Sequence, residues 1–167
     1  MHFPPSAPIH LTLPAPAART AVLPLMTPAG VVVFTVPESL ALCGFGRRLV
    51  TMSERLRRRY GPHVAATLLR WLAEKFAELP ATHQTPRVFR ALTLLARLLV
   101  GRPVRCEQSP VFIPYHPDDH ILLDRALQGL GPGARRAVKS AARNVRGVFA
   151  ECRREAMGRG PATPGFL

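Results

Sequence analysis

Pro62 to Leu79 reads Pro-His-Val-Ala-Ala-Thr-Leu-Leu-Arg-Trp-Leu-Ala-Glu-Lys-Phe-Ala-Glu-Leu, and Pro80 follows. Val64, Ala65, Leu68, Leu69, Leu72, Ala73 and Phe76 recur at steps of three and four, the spacing that gathers side chains on one face of an α-helix. Pro62 suits a first helical turn, where a missing N–H loses no partner, and Pro80 ends the run. Trp71 lies beside the stripe. It reads first as a core or boundary residue and second as a platform for a stacked base.

The pattern repeats outward from this helix. Over Arg87 to Val100, Val88, Leu92, Leu95, Ala96 and Leu99 point inward, while Leu94, Leu98 and Val100 widen the apolar face. That breadth predicts a central helix with Arg90 and Arg97 on its polar edge, closed by Gly101-Arg-Pro. Asp118 to Leu130 predicts another, with Ile121, Leu122, Ala126 and Leu127 inward, before Gly129-Leu-Gly-Pro-Gly breaks the chain. Pro37-Glu-Ser-Leu opens a short helix through Leu42, and Cys43-Gly-Phe-Gly ends it. Ser53 then caps a helical turn that runs to Gly61.

Strand signals are few. Val31 to Val36 is β-branched and aromatic. Val111 to Ile113, between two prolines, is its only visible pairing partner. Seven prolines precede Val31, a density that opposes helix and sheet alike. Residues 1–37 therefore read as a proline-rich, partly disordered arm, with Leu11, Leu13, Leu23 and Leu25 available to pack back on the domain. The expected fold is mainly α: a small bundle of three to four helices over 38–157, at most a minor two-stranded β element, and a flexible tail over 158–167.

Charge is the unusual property. The 167 residues hold 23 lysines and arginines against 10 acids, a net +13, yet 47% are hydrophobic, enough for a packed core. Such a field favours anionic partners. Arginine, 21 of the 23 cations, also forms bidentate bonds to phosphate. The strongest basic pattern is Gly133 to Met157. Wound as one helix, it places Ala134, Val138, Ala141, Val145, Val148 and Cys152 on one side. Arg136, Lys139, Arg143, Arg146, Arg153 and Arg154 fall on the other, along about 27 Å. That row can track a phosphate backbone, or be the wet side of a helix. Arg47, Arg48, Arg55, Arg57, Arg58 and Arg59 form a second basic cluster with the same two readings. Polar base readers are scarce beside the row, where only Asn144 lies near, which favours backbone over base recognition.

Catalytic patterns are sparse. His116-Pro-Asp-Asp-His120 holds metal-ligating residue types. Its first four residues resemble the start of the metal motif of zinc-dependent deacetylases acting on N-acetylglucosaminyl lipids and sugars. The resemblance ends at Asp119: the family's glutamate and glycine-rich turn are replaced by His120 and Ile-Leu-Leu, and no later His-x-x-His follows. The simpler reading places Asp118 and Asp119 in the first turn of a helix, where acids meet the positive end of the dipole. No nucleophile motif or phosphate-binding glycine loop is present. Cys43, Cys106 and Cys152 form no disulfide framework and read as reduced thiols. No stretch has the unbroken apolar length of a membrane span, and the first 18 residues lack the basic start of a secretion signal.

The sequence thus predicts a non-enzymatic, intracellular nucleic-acid-binding accessory protein, in cytoplasm or nucleus, with no cofactor or metal. Its contacts are Arg136, Lys139, Arg143, Arg146, Arg153 and Arg154 first, with Arg55, Arg57, Arg58 and Arg59 of the second cluster after them. The alternative is a helical protein-interaction regulator using the proline-rich arm and an apolar groove; a basic helix on anionic lipid is a third reading, weakened by the modest apolar face.

Overall fold

The computed structural model describes residues 19–105, 110–113 and 117–143, together with residues 150, 152 and 154. Strand β1 (Thr20–Thr27) pairs antiparallel with β2 (Gly30–Pro37), Leu23 opposite Phe34 and Leu25 opposite Val32. Alternation decides the faces: Leu25, Val32, Phe34 and Val36 are buried, while Val22, Met26, Val31 and Val33 are exposed. The turn is held by Thr27, whose Oγ1 accepts from the Ala29 N–H at 3.2 Å and donates to the Gly30 carbonyl at 2.6 Å.

This hairpin corrects the arm reading, which ran to residue 37. Pro24 did not prevent a strand because a two-stranded ladder has only edges, where a missing N–H can face solvent. Residues 1–18, the remainder of that arm, lie outside the described residues. The expected pairing of Val31–Val36 with Val111–Ile113 is also replaced. The latter segment belongs to β4 (Pro110–Ile113), which pairs with β3 (Arg102–Arg105). A strand finds its partner across the shortest turn, and each of these has one nearby in sequence.

The rest of the bounded elements are helical: α1 (Glu38–Leu42), α2 (Phe45–Tyr60), α3 (Pro62–Glu78), α4 (Pro86–Val100), α5 (Pro117–Gln128) and α6 (Pro132–Ala141), with a 3-10 turn at Ala81–His83. The structure is mostly helical, with more helices than the three or four expected. Ser53 is not a cap. It lies inside α2, which starts eight residues earlier because Gly44, at φ +84°, reverses the chain between α1 and α2. At α4 the cap is Thr85, whose Oγ1 accepts from the Val88 N–H at 3.3 Å.

The hairpin lies on α3, which α2 and α4 also contact. Nine residues of α3 are buried, Trp71 among them. Phenylalanines join the layers. Phe45 of α2 stacks on Phe76 of α3 with centroids 5.8 Å apart. Phe89 of α4 meets Phe45, Phe76 and Phe34 edge-on at 4.9, 5.2 and 6.0 Å. Such edge contacts add about 0.5–1.5 kcal/mol each beyond burial. Helices α5 and α6 pack against α4, which leaves one side of the α2–α4 pair open.

Candidate functional site

Helix α6 starts from Gly131 with Pro132 in its first turn. Val138, 1% exposed, anchors it, with Ala134 and Ala141 also against the core. Arg136, Lys139 and Arg143 project from the opposite side and are exposed. No carboxylate among the described residues pairs with any of them. Arg135 turns the other way: its Nε donates to the Leu127 carbonyl at 3.1 Å and its Nη2 to the Leu130 carbonyl at 3.3 Å. A cation there meets carbonyls at the C-terminal, negative end of α5.

The expected 25-residue rod is not continuous. Helix α6 ends at Ala141, and Ala142 and Arg143 form a turn, the Arg143 N–H donating to Ser140 at 3.1 Å. Arg146 and Arg153 lie outside the described residues, and Arg154 is exposed. The cation row therefore holds as described over Arg136, Lys139 and Arg143, about 10 Å of helix rise.

The second cluster is divided by the geometry of α2. Arg57 and Arg58 both turn to Glu54, Arg57 through paired hydrogen bonds and Arg58 through Nε at 3.6 Å. The Arg57 hydrogen bond, more than any other cause, holds the Glu54 carboxyl below its ordinary value. Arg59 faces inward. Its Nη2 donates to Asp119 Oδ2 at 2.9 Å, and Arg97 Nη2 donates to Oδ1 of the same carboxylate at 2.9 Å. Asp119 is only 4% exposed, and it ties α5 to α2 and α4. The first-turn acid is thus the counter-ion of two arginines, each of its oxygens accepting from one of them.

His116, at the start of that motif, lies outside the described residues. His120 Nδ1 is 4.0 Å from Asp124 on an exposed helix face. Among the described residues no group of three histidines, cysteines or acids is placed to hold a metal.

Arg55 leaves its neighbours and lines a groove between α2 and α4, about 820 Å³ in volume. Arg47 and Arg48 join it from α2, and Arg87 and Arg90 from α4. All five are exposed, and none has a carboxylate partner among the described residues. The floor is apolar: Met52, Leu56, Phe89 and Leu94. Thr93 lies beside Met52, its Oγ1 3.5 Å from the sulfur and donating to the Phe89 carbonyl at 2.9 Å. The Arg59–Asp119–Arg97 clamp and Leu122 close one end.

Sequence reading missed Arg87, set Arg90 on an edge, and held Arg47 and Arg48 in the second basic cluster without naming them as contacts. The signal was present: Arg48, Met52, Arg55 and Arg59 follow one helix face, as do Arg87, Arg90, Leu94 and Arg97. That two such faces oppose each other is a tertiary fact. No known protein family, curated protein or solved structure matches the chain, so a functional reading rests on these surfaces alone. No helix among the described residues is long and apolar enough to cross a membrane.

Proposed function

We propose that the protein is a non-enzymatic accessory protein that binds the phosphate backbone of nucleic acid through the outer face of α6. One observation carries the reading: Arg136 and Lys139 on α6, and Arg143 on the turn that ends it, are exposed and free of described acid partners, while Val138 on the other side of the helix is buried. Arginine-rich composition and a net +13 supply the long-range attraction. Arg154 extends the set, and Arg146 and Arg153 belong to it by sequence. Arg59 leaves the set because a buried carboxylate holds it, and Arg57 and Arg58 are partly neutralised by Glu54. The exposed Cys43 is a free thiol, which suits a reducing intracellular compartment.

Recognition through phosphates alone is salt-dependent and indifferent to base sequence. Contacts from Arg136, Lys139 and Arg143 to a duplex together contribute about −2.7 to the slope of log affinity against log salt, about a 40-fold loss between 50 and 200 mM salt. Replacing Arg136, Lys139 and Arg143 with glutamine is expected to remove most of that contribution. An unchanged affinity and slope would place the contacts elsewhere.

A further inference from the structure

We propose that the groove between α2 and α4 docks an acidic amphipathic helix of a partner protein. This goes beyond the nucleic-acid reading and uses a different surface. Its dimensions suit a helix. The α2 wall from Arg48 to Arg59 rises about 16 Å and the α4 wall from Arg87 to Arg97 about 15 Å, three turns each. An apolar stripe at i, i+3, i+4 and i+7 of such a helix would lie on Met52, Leu56 and Leu94, as in other helix-in-groove complexes. Arg47, Arg48 and Arg55 on one rim and Arg87 and Arg90 on the other then meet the flanks, where charge complementarity requires acids.

The acids are assigned to another chain, because no carboxylate among the described residues pairs with a rim arginine. Of the ten in this sequence, Asp119 and Glu54 already hold arginines, and residues 1–18, which lead into β1, contain none. A second copy brings the same +13 surface and would repel. Nucleic acid is matched less well. Phosphates over Met52 and Leu56 would lose water without gaining donors from the floor.

The experiment uses the full chain and a fluorescein-labelled acidic peptide of about four turns, with leucines at helical spacing between glutamates. A scrambled peptide of the same composition serves as comparison, and anisotropy reads the binding. The proposal expects the helical-spacing peptide to bind about tenfold or more tightly than the scramble, with Arg48→Glu/Arg90→Glu weakening it about tenfold or more. Arg136→Glu/Lys139→Glu, which removes the same net charge elsewhere, should weaken it by less than about threefold, as screened charges off the site do. Equal binding of both peptides, or equal loss from both double reversals, overturns the proposal. So does duplex DNA binding that is lost in the groove reversal and kept in the α6 reversal, since the groove would then belong to nucleic acid. Arg48 and Arg90 are exposed and unpaired among the described residues, so circular dichroism should show the fold kept. If the reversal unfolds the chain, Arg48→Gln/Arg90→Gln carries the same comparison.

Discussion

Asp119 stands where α2, α4 and α5 meet, and both of its oxygens accept from arginines. Removing its charge leaves two guanidinium groups, each about a quarter exposed, without a counter-ion. A fully buried pair broken from one side costs about 3–5 kcal/mol, and partial exposure of the arginines reduces this to about 2–3 kcal/mol. Asp119→Asn is therefore expected to lower the urea midpoint with little change in slope. Glu54→Gln, at an exposed pair, should leave the midpoint nearly in place. Equal shifts would contradict the role given to Asp119. Beside the clamp, the buried Tyr60 hydroxyl donates to the Gly101 carbonyl at 2.9 Å. Burial raises this phenol above its ordinary value of 10.0. The folded state then holds the proton after the unfolded chain has lost it. That stability is complete below pH 10.0 and falls as pH climbs through the raised value. Denaturant midpoints should decline above that pH, and Tyr60→Phe should remove this decline while costing about 0.5–1.5 kcal/mol at neutral pH.

At the scale of elements, the junctions set where the arginines point. Gly61 joins α2 to α3 at φ +88°, ψ 165°, and Gly101 ends α4 at φ +88°, ψ −165°. This is a region that only glycine visits readily. A Cβ at Gly61 would touch nothing, so the cost of Gly61→Ala is conformational alone, about 1–3 kcal/mol by thermal or urea unfolding. A change within a few tenths of a kcal/mol would show that the junction relaxes. Legibility divides along the same elements. The α3 stripe of Val64, Leu68, Leu69, Leu72 and Phe76 was readable because one face is buried along its whole length. The first half of α2 was hidden by Gly44 and Gly46, which resemble a stop. Only the backbone shows that Gly44 turns the chain and Gly46 continues the helix. Strand β1 was hidden by Pro24, whose tolerance depends on the edge it occupies.

For the whole molecule, net charge was legible and its placement was not. The four arginines at 55, 57, 58 and 59 looked alike in sequence, yet the fold sends them to a groove, an exposed glutamate and a buried aspartate. Arg136 and Lys139 are exposed on α6 and Arg143 on the turn that ends it, so the expected rod was too long. The groove needed two helices brought together by Phe45, Phe76 and Phe89, contacts between residues far apart in sequence. The resulting molecule carries two separate basic surfaces, a convex one on α6 and a concave one between α2 and α4. They are open to independent mutation. The most direct measurement is affinity for a mixed-sequence DNA duplex across a salt series, for the intact protein and for Arg136→Gln/Lys139→Gln/Arg143→Gln. A slope that flattens by about 2.7 in the triple variant, with little dependence on base sequence, is the result this account predicts. A slope and affinity that the triple variant leaves unchanged would contradict it.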